Sequence, residues 1–500
     1  MTTLLKGVTP ARPGSSDYRE KGIKVDLSSF ISELEKFNEL KRVNGADWNL
    51  EIGTMTELSD ERNGPALLFD SIKDYPPGYR VISNLLSRPR RLAIALGFPA
   101  DTPNVELVRL VKEKFKALKS IPPVYVEKGP VQENVFRDDE VDLMKFPTPR
   151  WHELDGGRYI GTGDLVINKH PTEGWVNVGT YRVQLHDRNT LGLYISPGHH
   201  GRLIRETWWA QGKSCPVAVV FGSHPLVWMP SFLALPWGVE EYGIAGGLLG
   251  KPVELIRGEY TGLPIPAHAE IVIEGDCPPP EVESREEGPF GEWPGYYGSG
   301  ARNEAVIRVK RVMHRNNPIM LGAPSLTPPG SISATYVMRA ANIWHEMEQI
   351  GIPGIKGAWN MRAGGSRLIT VIAIEQRYSG HAKQVGMAAM VGAEGAYHGR
   401  WVIVVDDDID PTNDEEVMWA VATRCDPATA VEIIHGCWST PLDPTIPPEQ
   451  RARGDYTNSR AILLACRPYY WKDKFPKVIR SSRELRAETL KKWPDVFPTQ

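Results

Sequence analysis

The sequence predicts a mixed fold in which two α/β domains flank a β-rich, barrel-like domain. Three patterns indicate it: apolar residues at helical spacing near the N-terminus, short β-rich runs in the middle, and apolar runs that alternate with helices towards the C-terminus. A chain of 500 residues is long enough for two or three domains. We expect an arm over 1–24, domains over 25–121, 122–317 and 318–470, and a helical tail over 471–500.

The N-terminal part combines helical and β-rich patterns after a polar arm. Apolar residues recur at helical spacing from Leu27 to Phe37, and either Asp26 or Ser28 can cap the start of that helix. A second helix is predicted from about Pro103 to Leu118, because proline is favoured in a first turn. With two β-rich runs between these helices, a small α/β domain is expected.

Short β-rich runs dominate the middle of the chain, at 175–185, 217–221, 269–274 and 305–312. Gly, Pro and Asp interrupt them at short intervals, which is typical of a barrel or a sandwich. This segment is therefore the candidate cofactor domain.

Strands and helices alternate again after about residue 318. A helix is predicted over 331–350, and near-continuous apolar runs at 368–374 and 401–405 flank a helix over 381–391. Such runs are typical of a sheet that is covered on both faces. The charged helix predicted over 481–496 either packs back on the body or bridges subunits.

Composition excludes several classes of function. The 58 basic and 61 acidic residues leave a net charge of −3, so no positive field favours nucleic acid. The five cysteines include no C-x-x-C pair, which argues against a disulfide framework or a zinc ribbon. The start lacks the apolar run of a secretory signal, and the apolar stretch 215–237 contains four prolines that a membrane-spanning helix would not tolerate. We therefore expect a cytoplasmic protein with no membrane segment.

The sharpest local motif is the acidic turn Glu286-Glu-Gly-Pro-Phe-Gly-Glu292. Its glycines and proline favour a tight turn that lets the backbone approach a ligand. Glu287 and Glu292 are near enough in sequence to share a proton network, with one carboxyl as acid and the other as base. An exposed acidic hairpin would have the same composition.

A second motif combines Asn177 and Arg182 in an otherwise β-branched and aromatic run. An inward arginine offers a planar fork for a carboxylate, although an arginine paired with a surface acid is the alternative. Strict alternation puts Asn177 and Arg182 on opposite faces of a strand. We therefore expect the strand to be irregular between them, with a bulge at Gly179.

Three further residue types could bind a metal ion. His199 and His200 follow a Pro-Gly turn, and Glu240-Glu241 opens a glycine-rich run that more readily permits close helix packing than dinucleotide binding. An amide oxygen, an imidazole and a carboxylate, from Asn177, His200 and Glu241, suit Mn²⁺ or a similar ion. These three residues are far apart in the sequence, so their spacing alone does not establish them as a metal site.

Taken together, these segments resemble the UbiD family of reversible decarboxylases, which bind prenylated flavin mononucleotide. Six short motifs keep the family's order over roughly residues 120–430: Asn177 with Arg182, Leu185-His-Asp-Arg-Asn189, Pro197-Gly-His-His200, Pro236-Trp-Gly-Val-Glu-Glu241, Glu287-Gly-Pro-Phe-Gly-Glu292, and Asp407-Asp-Ile-Asp410 followed by Trp419 and Thr423-Arg-Cys-Asp-Pro427.

The resemblance implies a split-barrel type of flavin-binding domain and a set of site residues. The implied catalytic network is Arg182, Glu287 and Glu292. A divalent metal, usually Mn²⁺ with K⁺ nearby, would tie the cofactor phosphate to Asn177, His200 and Glu241. The residues implied to contact the cofactor are Asn177, Arg182, His199, His200, Ser231, Leu233 and Glu241.

The sequence also departs from the better-known members of that family. Ala393 stands where fungal cinnamate-type enzymes have a cofactor-contacting lysine, His199 replaces a glutamine, and Trp293 replaces a methionine. A cinnamic substrate is therefore not assumed. Trp293, Tyr296 and Leu326 are candidates for the wall of a differently shaped pocket.

The function expected from the resemblance is decarboxylation or carboxylation of an aromatic, heteroaromatic or conjugated acid, including an aromatic acyl-coenzyme A with a free carboxylate. CO2 is the second small molecule, a flavin prenyltransferase supplies the cofactor, and the enzyme is a homodimer or homohexamer. A flavin-independent, metal-dependent hydrolase and a non-catalytic flavin-binding or assembly subunit remain the alternatives.

Overall fold

A computed structural model describes residues 26–233, 235–298, 300–328, 330 and 332–497; the predicted arm over 1–24 lies outside this range. The predicted fold class is confirmed, because α/β regions flank a curled half-barrel sheet. None of the helices in these described ranges is long and apolar enough to cross a membrane.

The N-terminal region is a four-stranded sheet with helices packed around it. Its elements are α1 (Leu27–Lys36), β1 (Leu40–Ala46), α2 (Glu51–Glu61), β2 (Ala66–Ile72), β3 (Arg80–Ser83), α3 (Pro89–Leu96) and α4 (Asn104–Lys116). Of the two predicted caps for α1, the carboxylate of Asp26 accepts the backbone N–H of Ser29 at 2.8 Å. The sheet order is β1-β2-β3-β19, and β19 (Ile319–Gly322) comes from much later in the chain. The predicted domain boundaries stay a prediction, and this pairing crosses one of them.

The central region is dominated by one ten-stranded sheet. Its strands follow the path β6-β9-β10-β18-β14-β11-β7-β8, and β5 and β15 also pair with β18. The elements of the region are β4 (Val124–Tyr125), β5 (Asn134–Arg137), β6 (Arg158–Gly161), β7 (Asp164–Lys169), β8 (Val176–Gly179), β9 (Arg182–Leu185), β10 (Thr190–Tyr194), α5 (His200–Trp209), β11 (Cys215–Phe221), α6 (Pro225–Trp228), α7 (Glu241–Leu249), β12 (Glu254–Arg257), β13 (Pro264–Pro266), β14 (Ile271–Cys277), β15 (Ser284–Glu287), β16 (Gly291–Glu292), β17 (Tyr296–Tyr297) and β18 (Arg302–His314).

The prediction of one bulged strand over 175–185 was wrong. The chain leaves β8 at Gly179 and begins β9 at Arg182, and the two strands lie near opposite ends of the sheet. Thr180 causes the break, because its N–H donates to the carbonyl of Ser231 at 3.0 Å and its hydroxyl donates to the carbonyl of Asp164 at 2.9 Å. The break carries Asn177 and Arg182 into different parts of one curled sheet.

The C-terminal region is a five-stranded sheet in the order β20-β21-β22-β24-β23. Its elements are α8 (Ser333–Gln349), β20 (Ile355–Asn360), β21 (Ile369–Ile374), α9 (His381–Val391), α10 (Gly395–His398), β22 (Trp401–Asp406), α11 (Asp414–Arg424), β23 (Val431–Trp438), α12 (Pro448–Ala452), β24 (Thr457–Ala465) and α13 (Arg483–Lys492). The apolar runs predicted at 368–374 and 401–405 form the parallel pair β21 and β22, and the predicted tail helix corresponds to α13.

Candidate active site

Arg182 holds two carboxylates that lie more than a hundred residues later in the chain. Its Nε and Nη2 donate to the two oxygens of Glu287 at 2.6 and 2.8 Å, and its Nη1 donates to Oε1 of Glu292 at 2.8 Å. The three side chains are 9%, 1% and 17% exposed. Such a bidentate, desolvated arrangement fixes the relative positions of all three groups.

Two aromatic rings support the guanidinium group of Arg182. Its Cζ lies 4.5 Å from the ring centre of Tyr194 and 5.3 Å from that of Phe290. Val183, the next residue of β9, belongs to the core inside the curled sheet, so alternation along the strand turns Arg182 to the other face. The cation therefore lies at the edge of this core, beside the acidic turn.

The turn between β15 and β16 presents the two carboxylates to the same cation. Gly288 has a φ of +87°, a conformation that favours glycine, and it separates Glu287 from Pro289. Gly156 clamps this turn from outside, because its N–H donates to the carbonyl of Pro289 at 2.8 Å. A Cβ atom at Gly156 would lie 1.8 Å from the carbonyl oxygen of Gly288, so this contact requires glycine.

The surroundings favour a proton on Glu292. Burial raises the pKa of Glu292, and Glu287 adds to the rise, while Arg182 opposes it. Burial lowers the pKa of Arg182, but the hydrogen bond and charge of Glu287 and the charge of Glu292 outweigh it, and the net pKa is raised. The site therefore combines a permanent cation with a carboxyl group that can hold a proton at higher pH than an exposed glutamate.

Tyr159 joins this cluster and was missed from the sequence. Its hydroxyl lies 3.3 Å from Oε1 of Glu287, and its ring centre lies 4.2 Å from that of Phe290. Burial, with Glu287 next, raises the pKa of Tyr159, so the hydroxyl remains a donor at neutral pH. No local motif marks this residue, because a buried tyrosine in β6 looks like any other core residue.

The structure also gathers the segments that carry Asn177, His200 and Glu241. Asn177 lies in β8, His200 begins α5, and Glu241 begins α7 and accepts the N–H of Val178 at 3.1 Å. The His200 ring lies 5.3 Å from Trp175, which precedes β8, and 5.2 Å from Trp237, which precedes α7.

The donor set of Asn177, His200 and Glu241 suits a cation in its chemistry, and Glu241 is the charged member. Burial raises the pKa of this 6% exposed carboxyl group to about 8, and a bound cation would stabilise its ionised form. Close packing of α7, where a Cβ at Gly246 would lie 2.4 Å from the carbonyl oxygen of Ile121, fixes its position. Among the described residues there is no cluster of three or more His, Cys, Asp or Glu suited to a metal, and this set differs in that one of its members is an asparagine.

The other residues predicted to contact a cofactor surround the break between β8 and β9. Ser231 shares a 2.6 Å hydrogen bond with the Thr180 hydroxyl, and Leu233 closes the same short 3-10 turn, Met229–Phe232. His199 precedes α5, and its ring lies 5.9 Å from the ring of Tyr181.

The three predicted pocket residues lie in different places. Trp293 follows Glu292 and is half-buried, whereas Tyr296 pairs with Glu292 across the hairpin and is 61% exposed. Leu326 lines a cavity of about 30 Å³ together with Trp228 and the loop 84–87. Such a cavity has room for roughly one water molecule, so as shaped here it does not accommodate an aromatic acid.

Comparison with known proteins gives three consecutive family matches. Residues 31–111, 124–328 and 334–465 match the N-terminal, Rift-related and C-terminal domains of 3-octaprenyl-4-hydroxybenzoate carboxy-lyase, UbiD. The chain is 31% identical over 491 residues to pyrrole-2-carboxylic acid decarboxylase of Pseudomonas aeruginosa, an alignment that covers 94% of this chain and 98% of that protein.

Solved structures agree with these matches. The UbiD-class enzyme HmfF from Pelotomaculum thermopropionicum in complex with FMN is 29% identical, with a TM-score of 0.81 over 94% of this chain and 100% of that one. An evolved dimeric form of HmfF in complex with prFMN, also 29% identical, has a TM-score of 0.77 over 93% of this chain and 98% of that one.

A curled sheet flanked by two α/β regions, with one arginine between two carboxylates at its side, defines an enzyme of the carboxy-lyase class. The matches extend over nearly the whole chain. The chain belongs to the UbiD family.

Proposed function

We propose that this enzyme catalyses the reversible, non-oxidative decarboxylation of an aromatic, heteroaromatic or conjugated acid with prenylated FMN. The substrate class includes an aromatic acyl-coenzyme A with a free ring carboxylate. The observation that carries the proposal is the guanidinium group of Arg182 between the carboxylates of Glu287 and Glu292. Membership in a carboxy-lyase family speaks against the hydrolase and the non-catalytic alternatives.

The proposed cofactor set is prenylated FMN, Mn²⁺ or a similar divalent ion, and K⁺. Asn177, His200 and Glu241 supply an amide oxygen, an imidazole and a carboxylate, a mixed donor set that suits such an ion. The bound FMN and prFMN of the related HmfF structures support the flavin assignment. When bound, the prenylated flavin provides the electron sink that amino acid side chains lack.

Arg182 is proposed to orient the substrate. A guanidinium group has five N–H donors, and the two glutamates use three of them, so donors remain for a substrate carboxylate. Because Glu287 holds two of the nitrogens, the fork cannot rotate freely. This restriction lowers the entropic cost of placing the scissile bond in one orientation.

Glu292 is proposed to complete the reaction as the acid. The bond between the ring carbon and its carboxyl group breaks, CO2 leaves, and the vacated carbon accepts the proton of Glu292. In the carboxylation direction, the carboxylate of Glu292 takes the proton back. A raised pKa suits both roles because burial makes it easier for this carboxyl group to hold the proton that it gives up and takes back.

The remaining proposals concern the setting of the enzyme. We propose a cytoplasmic homodimer or homohexamer that receives its cofactor from a flavin prenyltransferase. An acid and CO2 are the small molecules that enter or leave the site. The identity of the substrate is left to experiment.

Deuterium exchange tests the proposed function directly. The protein is coexpressed with a flavin prenyltransferase and incubated in deuterated water with a panel of aromatic acids. The expected result is release of CO2 and deuterium at the vacated carbon. A flavin-loaded protein that releases no CO2 and exchanges no hydrogen with any member of the panel would overturn the proposal.

A further inference from the structure

A second arginine lies beside Trp293, the residue that follows Glu292. Arg367 follows the short turn Arg362–Gly364 and precedes β21, and its Cζ lies 5.0 Å from the ring centre of Trp293. Gly365 allows this contact, because a Cβ there would lie 3.0 Å from the carbonyl oxygen of Trp293. The C-terminal sheet thus brings a cation to the residue that follows the proposed acid.

Among the residues that the structure describes, no carboxylate forms an ion pair with Arg367, unlike the neighbouring Arg339. Arg339, which lies nearby, forms an ion pair of 2.9 Å with Glu394. Within the described ranges, no hydrogen-bond acceptor and no carboxylate contacts the guanidinium group of Arg367, and its side chain is only partly exposed. A partly buried cation without a counter-ion is costly, and an anion from solution would offset that cost.

Electrostatic effects show which groups Arg367 faces. Burial lowers the pKa of Arg367 to about 10, and Arg339 adds to the fall, while Glu394 and Glu292 oppose it. Arg367 is therefore within electrostatic reach of the proposed acid, and it stays charged at neutral pH.

We propose that Arg367 and Trp293 form a subsite for a second acidic group of the substrate. The preferred substrates are then aromatic acids with two negative charges, one carboxylate at Arg182 and a second anionic group at Arg367. The geometry supports binding of the second anionic group at Arg367. Its planar guanidinium group is available to a carboxylate, and the face of Trp293 lies beside it. The inference rests on the proposed function, since it assigns the substrate class of the same site.

Three variants test the subsite in the flavin-loaded enzyme. Arg367→Met removes the charge but keeps an apolar stem, and Arg367→Lys keeps the charge without the fork. Arg377→Met is the matched control, because Arg377 is a 53% exposed arginine of the same region that pairs with Glu375. The ligands are benzoate and its two-charge counterparts, benzene-1,3-dicarboxylate and benzene-1,4-dicarboxylate.

The readouts are the Kd by calorimetry, KM and kcat for CO2 release, and flavin content by absorbance. We expect Arg367→Met to raise Kd and KM for a dicarboxylate by roughly 10- to 100-fold, as for loss of a charged hydrogen bond, and to change kcat and the benzoate constants by a much smaller factor. Arg367→Lys should recover part of the loss, and Arg377→Met should match the wild type.

Other outcomes separate the subsite from the proposed function. Equal dicarboxylate constants in the wild type and Arg367→Met, or a wild type that binds benzoate but neither dicarboxylate, would overturn the subsite. Loss of flavin from Arg367→Met would overturn it too, because the arginine would then bind the cofactor phosphate. If dicarboxylate binding depends on Arg367 but no acid in the panel releases CO2, the subsite is supported and the proposed function is rejected.

Discussion

The carboxyl group of Glu292 has one oxygen bound to Arg182 and a side chain that is 17% exposed. Glu292→Gln keeps an oxygen that can accept from Arg182 but removes the transferable proton. We expect kcat for CO2 release to fall by about 10²- to 10⁴-fold, the usual contribution of a positioned acid. The measurement is CO2 release and deuterium incorporation by the flavin-loaded variant.

Glu286→Gln is the matched control for this variant. Glu286 lies in β15, the strand that leads into the same acidic turn, but its side chain is exposed. Its substitution should leave kcat and flavin content unchanged. If Glu292→Gln decarboxylates as fast as Glu286→Gln, another group supplies the proton.

The pH profile of the enzyme should depend on Glu287. Glu292 must be protonated to act as the acid, so the rate of decarboxylation falls as pH rises through its pKa. The charge of Glu287 is one cause of the raised pKa of Glu292, and Glu287→Gln removes that charge. The alkaline limb of kcat/KM against pH should therefore move to lower pH in this variant. A limb that stays in place or moves to higher pH would show that a different group titrates.

The residue patterns marked the individual site residues, whereas their grouping into one network was implied only by the family resemblance. An arginine and an asparagine in a β-rich run are conspicuous, and so are two glutamates around glycines and a proline. The hydrogen bonds between Arg182 and Glu287 span 105 residues, and no local pattern encodes such a distance. Tyr159 and Arg367 were missed because each acts through neighbours that only the fold brings near.

At the scale of elements, the acidic turn depends on the loop that clamps it. Gly156→Ala would place a Cβ 1.8 Å from the carbonyl oxygen of Gly288, which is backbone and cannot rotate away. We expect a loss of stability of about 1–3 kcal/mol from this overpacking, and a loss of activity because Glu287 and Glu292 are displaced. Thermal unfolding and CO2 release measure the two effects.

Gly300→Ala is the control for this substitution. Gly300 lies between β17 and β18, where an added Cβ would meet no atom within 4 Å, and its φ is not positive. It should leave both the unfolding temperature and the activity near those of the wild type. Similar behaviour of the two variants would contradict the clamping role of Gly156.

Helices in which apolar residues recur at regular spacing were predicted well. Elements that are held in place by polar contacts were not. The helices α1, α4, α8 and α9 lie close to their predicted ranges. By contrast, α2 is anchored by the buried Thr56, whose hydroxyl donates to Ser83 at 2.7 Å, and so has little apolar pattern to recognise. The break between β8 and β9 was misread as a bulge because Ser231 and Asp164, which accept from Thr180, are distant in sequence.

At the scale of the whole molecule, three regions could be expected from changes in pattern along the chain. The sequence did not predict that a strand from later in the chain would join the N-terminal sheet. The two paired strands, β3 and β19, are more than two hundred residues apart. The apolar residues of β19 suit any buried strand, and only the completed fold decides which sheet they join.

The C-terminal tail carries large apolar side chains that remain half-exposed. Leu490, Trp493 and Phe497 have helical spacing and are 53%, 51% and 50% exposed. Since each is already about half-buried, full burial would add roughly half of the 1.5–3 kcal/mol of a fully exposed side chain, and apolar area left exposed after the tail has packed favours the subunit-bridging alternative. We expect the wild type to elute as a dimer or larger, and Leu490→Glu with Trp493→Glu to lower the molar mass measured by light scattering. Lys491→Glu, a charge change in the same turn, should keep the wild-type mass. If the double variant also keeps it, the tail does not form the interface, and subunit contacts must lie on the body of the protein.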